Sequence, residues 1–209
     1  MKIIFKQNPH LLPTNKAILE SLMLFQEMPY EKEIKRLLSA SESSTLDQKY
    51  LLSWLQTDDP KEALSTFEDM RSLGLIKGSD SPSALLDSAT DVALNECIGE
   101  LTDEACMLAN DQGFHLANVG FEKELADELA ALAAELHSFH VKRVQRLVEK
   151  GLAGSNTWTI PGQDAPSSLT FRPLHTDHQS FILINKGIAK FNNKGLLNLA
   201  RLLMNKYNL

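Results

Sequence analysis

Two histidine pairs are the residues whose types and spacing come closest to a reactive centre. His137 and His140 lie three residues apart in a helical stretch, and His175 and His178 flank a Thr-Asp dipeptide. Two imidazoles at this helical spacing can share a Zn²⁺ ion, and Asp177 could add a carboxylate. The pairs belong to different predicted elements, so their spacing alone does not bring them together. We expect packed helical histidines and solvated loop histidines, with no metal site.

No other motif indicates catalysis. The sequence has no Gly-x-Ser-x-Gly elbow, no glycine-rich phosphate loop and no cysteine paired by motif with a histidine. Cys97 and Cys106 stand in apolar surroundings, which predicts two buried thiols of a cytosolic protein. We therefore expect a protein that is not an enzyme and uses no cofactor. A metal-dependent enzyme built on the histidines is kept as an alternative.

Charge and hydropathy narrow the possible partners. The formal net charge is -6 and the sequence pI is about 5.5, which does not suit binding to nucleic acid, because that affinity rests largely on Lys and Arg. No run of residues is long and apolar enough to insert into a membrane. The first residues are too weakly apolar for a signal peptide, and Lys2 excludes myristoylation, so we expect a cytoplasmic protein.

A β-hairpin is predicted near the middle of the chain. Glu104–Ala109 and Phe114–Val119 are short apolar-rich runs separated by Asn110-Asp111-Gln112-Gly113. Asn and Asp favour a turn, and Gly adopts the positive φ that closes a tight connection. A helix is expected before this hairpin, from about Ala84, and a longer one follows Gly120.

The long helix, predicted to end at Lys150-Gly151, carries two apolar stripes. The first is bulky and recurs at three- and four-residue steps: Leu125, Leu129, Leu132, Leu136 and Phe139. The second lies roughly a quarter-turn away: Ala126, Ala130, Ala133, His137, Val141, Val144 and Val148. This apolar arc is wider than packing on one sheet requires. The added face, with its small side chains, would let another helix approach closely.

Three strands and a helix complete the pattern. The strands are Thr157–Ile160, Ser168–Arg172 and Ser180–Asn185. The third is apolar throughout, which predicts a place near the sheet centre, whereas the first alternates and predicts an edge strand open to pairing. The final helix is expected from Lys194 to Tyr207, capped by Asn192 or Asn193.

This order of elements resembles the roadblock (dynein light chain 7) family over about Leu85 to Tyr207. The matching features are the turn Asp111-Gln112-Gly113, Gly120, the Ala- and Leu-rich stretch 126–134 and a strand, 169–174, that ends in Arg-Pro-Leu. The resemblance implies an α/β (α+β) sandwich with a central antiparallel five-stranded sheet.

The N-terminal region is predicted to be a separate helical domain. Candidate helices are Asn15–Gln26, Glu31–Leu38, Leu46–Gln56 and Pro60–Leu73, with caps at Thr14 or Asn15, Ser44 or Thr45, and Asp58 or Asp59. The last helix and the following Leu-Gly-Leu-Ile resemble the end of a winged-helix module. We predict domains at 1–78 and 84–209, joined by the polar linker 79–83.

Both the edge strand and the small-residue helix face are expected to be buried in a homodimer. The predicted interface comprises Ala126, Ala130, Ala133, His137, Val141, Thr157, Trp158 and Ile160. The family resemblance then implies a regulator or scaffold that binds a small Ras-like GTPase. The alternative is a winged-helix-like, transcription-linked protein that binds DNA or senses a ligand.

Overall fold

The computed structural model describes residues 9–23, 28–84, 86, 90–143, 150, 157–162 and 168–207. The helices in these ranges are α1 Asn15–Met23, α2 Glu31–Ser39, α3 Gln48–Leu55, α4 Pro60–Ser72, α5 Thr90–Gly99, α6 Lys123–Arg143 and α7 Lys194–Lys206. The strands are β1 His10–Pro13, β2 Ile76–Ser79, β3 Ala105–Asn110, β4 His115–Val119, β5 Trp158–Pro161, β6 Ser168–His175 and β7 Ser180–Lys186. Among the described residues, no helix has both the length and the apolar character to cross a lipid bilayer.

The second half of the chain forms the predicted five-stranded antiparallel sheet, and its strand order is β4-β3-β7-β6-β5. The expected order of helix, hairpin, long helix, three strands and helix is confirmed. Apolar β7 lies at the centre of the sheet and β5 at one edge, also as predicted. Strand β6 continues to His175, beyond Arg172, where the sequence pattern predicts its end. Its continuation through Pro173 lies beyond the residues that pair with β5.

Helices cover both faces of this sheet. Successive strand residues point to opposite faces, so Met107 and Ala109 pack under α6, while Cys106 and Leu108 belong to the core on the other face. On that second face α5 packs on β3 and β4, α1 packs on β6, and α7 packs against both of these helices. The sheet is therefore the middle layer of three, and α6 lies alone on its face among the described helices.

The β3–β4 turn is fixed by one buried side chain. Asn110 Oδ1 accepts hydrogen bonds from the backbone N–H groups of Gln112 and Phe114 at 3.2 and 2.9 Å. Gly113 has φ +88°, the left-handed conformation that favours glycine. The turn chemistry predicted from the sequence is confirmed.

The four predicted N-terminal helices are present, with one corrected cap. Thr14 Oγ1 accepts from the N–H of Ala17, and Asp59 caps α4. Helix α3, however, begins at Gln48 and is capped by Asp47, which accepts from the N–H of Tyr50 at 2.7 Å. The expected cap at Ser44 or Thr45 is wrong because both residues lie at least three positions before Gln48, the first residue of the helix. Residues 24–27, the end of the first predicted helix, lie outside the described residues.

A small two-stranded sheet that no sequence pattern predicts completes the N-terminal region. Strand β1 pairs antiparallel with β2, and His10 forms a further bridge with Thr45. Helices α3 and α4 followed by this paired strand resemble a winged helix in outline. The paired residues are more than 60 positions apart, so no local pattern signals them.

The N-terminal helices share an apolar core with the second half of the chain. Helices α1 and α2 pack on α7, and buried residues of both halves form one continuous cluster. Arg201 of α7, itself buried, donates from Nη1 to the backbone oxygen of Ser83 at 2.6 Å and to its Oγ at 3.0 Å. Part of the predicted linker is thus held against α7, and the boundary at 79–83 stays a prediction.

Gly120 gives the first testable prediction. It has φ +87°, and a Cβ built there would lie 2.7 Å from the backbone oxygen of Glu104. Gly120→Ala should therefore lower the free energy of unfolding by about 2 kcal/mol or more, since left-handed backbone and a backbone clash both add strain. Urea denaturation measures the loss.

Gly74 is the matched control, since its φ is +69° but nothing lies within 4 Å of a built Cβ. Gly74→Ala should cost only about 1 kcal/mol, the cost of the left-handed backbone alone. Equal losses in the two variants would contradict the close approach at Gly120.

Candidate interaction surface

The alanine face of α6 packs on the sheet of its own protomer. Ala126, Ala130 and Ala133 are 0 to 1 % exposed, and they lie in a cluster with sheet residues such as Phe171 and Ile182. They have no accessible surface left to bury against a second helix. The alanine part of the expected interface is therefore corrected: these small residues let α6 approach its own sheet closely.

Four of the five residues of the bulky stripe of α6 reach the outer surface, whereas Leu129 is buried with the alanines on the sheet. Leu125 is 44 % exposed and Phe139 52 % exposed, and Leu132 and Leu136 between them are half-buried. At 100° per residue these four side chains fall on one flank of the helix, roughly a quarter-turn from the alanines. We call this set the leucine stripe. The outward apolar flank of α6 is thus formed by bulky residues and not by the alanines.

The remaining helix residues predicted at the interface divide between two places. Val141 is exposed but lies two positions beyond Phe139, about 200° further around the helix, so it does not belong to the leucine stripe. His137 is buried near the end of the sheet. Val144 and Val148 lie outside the described residues.

Strand β5 places the predicted aromatic and aliphatic residues beside that stripe. Trp158 contacts the rings of Phe139 and His140, with centroid distances of 6.0 and 5.6 Å. Ile160 is 44 % exposed, and Thr157, half-buried, immediately precedes the strand. The Phe139–Trp158 contact makes the leucine stripe and β5 one continuous apolar surface.

A side chain occupies part of the opposite edge of the sheet. On β4, the backbone N–H of Asn118 donates to Asn95 Oδ1 at 2.9 Å, so a group that could pair with another strand is occupied. On the same side, His115 Nδ1 lies 2.9 Å from Asp127 Oδ1 of α6. Blocking an edge in this way prevents uncontrolled pairing. The β5 edge adjoins the exposed apolar side chains of the leucine stripe.

The charges on α6 are separated along its length. Glu122, Glu124, Asp127, Glu128 and Glu135 lie just before α6 or in its first two-thirds, with Lys123 among them, and Lys142 and Arg143 lie in its last turn; all are exposed. This order suits the helix dipole. It also gives the outer surface of α6 an acidic half and a basic end.

Three imidazoles meet beneath the end of this surface. The ring centroids of His137 and His175 are 5.7 Å apart, and His140 lies against Trp158. Burial lowers the pKa of all three, and the pKa of His175 falls to about 4 because neighbouring His137, His140 and Lys35 add to the effect of burial. We call His137, His140 and His175 the histidine cluster. It is neutral near pH 7.

This grouping differs from the histidine pairs in the sequence. His175 joins the helical pair because β6 extends to it, while His178 stays in the β6–β7 turn. Among the described residues, no three His, Cys, Asp or Glu side chains are arranged to hold a metal ion. The two cysteines are buried and free, and burial is the main cause that raises the pKa of each thiol to about 12. Neither is ionised near neutrality, when a nucleophile would need to be.

Helix α4, the candidate DNA reader, has a poor charge balance for that role. Its exposed side chains include Glu62, Glu68 and Asp69 against Lys61 and Arg71. Docking on phosphates needs an excess of basic groups on the contacting face. The winged-helix outline favours the DNA-binding alternative, but the charge does not.

Comparison with known proteins finds similarity in solved structures alone: no protein-family model matches the chain, and no curated protein matches it. The crystal structure of a roadblock/LC7 domain from Streptomyces avermitilis is 14% identical, with TM-score 0.36, and the match covers 56% of this chain and 92% of that one. MglB of Myxococcus xanthus is 14% identical, with TM-score 0.33, covering 53% and 77%. The gliding protein MglB of Thermus thermophilus is 18% identical, with TM-score 0.40, covering 56% and 93%. At these TM-scores the similarity carries no argument about function.

The position of Ala133 can be tested by stability. Ala133→Glu should lower the free energy of unfolding by about 3 kcal/mol or more, because it buries an unpaired charge against the sheet. Chemical denaturation at low protein concentration measures the loss. Ala131→Glu is the control, since Ala131 is exposed on the same helix, and it should change stability by about 0.5 kcal/mol or less. A fully stable Ala133→Glu variant would contradict the packing of Ala133 on the sheet.

Proposed function

We propose that this protein is a non-enzymatic homodimer that acts as a regulator or scaffold and binds a small Ras-like GTPase. The main support for dimerisation is the position of the leucine stripe, which lies on the same flank of the domain as the β5 edge. A second copy could therefore cover both at once. Dimerisation through this flank would extend the sheet from five strands to ten.

A two-fold axis beside β5 fits the shape of this flank. Antiparallel pairing of β5 with its copy would satisfy backbone groups along the edge, as strand addition does. The same operation would bring α6 beside the copy's α6 and bury Leu125 and Phe139, which are about half-exposed in one protomer. Removing such apolar surface from water stabilises a complex by about 25 cal/mol for each Å² buried.

The charges on α6 support an antiparallel arrangement of the two helices. A two-fold axis perpendicular to them would set the basic end, Lys142 and Arg143, near the acidic first half of the copy's α6. The same would hold in the other direction, since a two-fold contact is reciprocal. A parallel arrangement would instead oppose like charges. Complementary charge mainly fixes the register of such a contact.

The partner class rests on the family resemblance of the sequence, and the layers of the fold suggest where such a partner binds. Helix α1 packs on β6, and α1 and α2 pack on α7, so the N-terminal helices lie on the face of the sheet opposite α6. The paired α6 helices would leave a broad two-helix surface on the other side. We propose that the GTPase binds there. A cytoplasmic location is part of the proposal, and it is supported by two cysteines that are free.

Phe139→Glu tests the dimer. Phe139 is half-exposed yet touches Trp158, so a carboxylate there should leave the protomer folded while placing a charge between the two copies. We expect the dimer dissociation constant to rise at least about 100-fold, equivalent to about 2.7 kcal/mol. Sedimentation equilibrium over a range of concentrations measures it.

Ala131→Glu supplies the control for this experiment, because it adds the same charge to α6 at an exposed position about 80° away from Phe139. It should dimerise like the unchanged protein. A monomeric unchanged protein at high concentration, or an unaffected Phe139→Glu dimer, would overturn the proposed interface.

The partner is tested by retention of purified Ras-like GTPases from the source organism on immobilised protein. We expect one of them to be retained, with retention that depends on whether it carries GDP or a non-hydrolysable GTP analogue. The Phe139→Glu monomer should lose this binding, because the two-helix surface needs both copies. If the dimer forms and none of these GTPases is retained in either nucleotide state, the partner proposal is wrong while the dimer stands.

A further inference from the structure

The histidine cluster occupies a particular place in the fold, at the junction of three elements. His137 and His140 come from the last turns of α6, and His175 ends β6. His140 also touches Trp158 of β5 with a ring distance of 5.6 Å. Trp158 in turn touches Phe139, the last residue of the leucine stripe. The cluster therefore contacts, through His140, the Phe139–Trp158 pair that joins α6 to the edge strand.

The surroundings of the cluster suit neutral imidazoles. His140 is 1 % exposed and His137 9 % exposed. No hydrogen-bond partner for His137 Nδ1 is found among the described residues. His175 Nδ1 lies 2.9 Å from Ser180 Oγ, a contact that a neutral ring can make as donor or acceptor. Protonating two of these rings would place like charges within about 6 Å of each other in a site with little water.

The charged groups around the cluster come from several elements. Asp111, in the β3–β4 turn, favours the protonated form of His137. Lys35 of α2 opposes protonation of His175, and its own charge is engaged by Glu31 and Asp177 at 2.8 and 2.6 Å. Lys142 and Arg143 follow the cluster on α6. One carboxylate thus favours protonation of the cluster, whereas burial, the other imidazoles and Lys35 oppose it.

We propose that the histidine cluster makes the dimer sensitive to acid: its protonation displaces the end of α6 and Trp158 from each other, and the two copies separate. The proposal rests on the dimer proposed above. It assigns to these residues a regulatory role that needs no bound metal. The contact that transmits the change is Phe139 on Trp158, since both belong to the apolar surface that the second copy covers.

The direction of the effect follows from linkage. The pKa of His175 lies near 4 in the packed cluster, below the usual value of 6.5, so the opened form binds more protons between these limits. The closed form, in which the cluster is packed against Trp158, therefore has its full stability relative to the opened form above about pH 6.5. It loses that stability as the pH falls towards 4. Each unit of pKa difference corresponds to a tenfold change in the equilibrium.

The experiment measures association and the state of Trp158 separately. The dimer dissociation constant is determined at pH 7.5 and 5.0 for the unchanged protein, for the double variant His137→Gln/His175→Gln, and for His178→Gln. We expect it to rise about tenfold or more at pH 5.0 in the unchanged protein and in His178→Gln, which alters a nearby histidine outside the cluster. The double variant should lose most of this dependence, because Gln does not titrate.

A Trp54→Phe background adds a local signal. The chain has two tryptophans, so Trp158 then reports alone, and its emission should shift to longer wavelength between pH 6.5 and 4. Circular dichroism verifies that each variant is folded, and the association measurement does not need this background.

Full pH dependence in the double variant, or none in the unchanged protein, overturns the proposal. A chain that is monomeric already at pH 7.5 contradicts the proposed dimer and the coupling to it. In that case a Trp158 shift abolished in the double variant would still support protonation of the cluster, and its absence would refute that as well.

Discussion

The close packing of α6 on the sheet determines most of what this surface can do. Ala126, Ala130 and Ala133 lie directly on the sheet, where larger residues project up from the strands to fill the space, among them Met107 and Phe171. The side chains of a helix have set angular positions about its axis. Packing the alanine face on the sheet therefore determines the direction in which every other face of α6 points. The leucine stripe is thereby turned toward the β5 edge, the acidic residues toward solvent, and two histidines toward the end of the sheet.

The sequence could predict the elements because their signals are local. Asn110 and Gly113 fix the first hairpin, Asp59 and Asn193 cap their helices, and an uninterrupted apolar run identifies β7 as a central strand. The sequence could not predict the rotation of α6. Both of its stripes are apolar, and the choice between them depends on the volume of side chains on strands far away in the chain. Close packing decides in favour of the small stripe.

The other unpredicted features are also long-range. Strands β1 and β2 pair across more than 60 residues, and α7 shares its core with helices at the opposite end of the chain. The histidine cluster could not be predicted because the predicted end of β6 was three residues too early. Ending β6 at Arg172 left His175 in a loop, whereas three more strand residues put it on the same face as Phe171, because side chains alternate along a strand.

The two edges and the two faces of the sheet differ in how far other parts of the chain cover them. This difference places the proposed dimer contact next to the residues proposed to make it sensitive to pH. The N-terminal helices pack against α7 on one face, and Asn95 occupies a backbone group on the β4 edge. The exposed apolar side chains that remain along α6 and β5 converge where Phe139 meets Trp158, directly above the histidine cluster. A change in charge at that point acts on the helix and on the edge strand together.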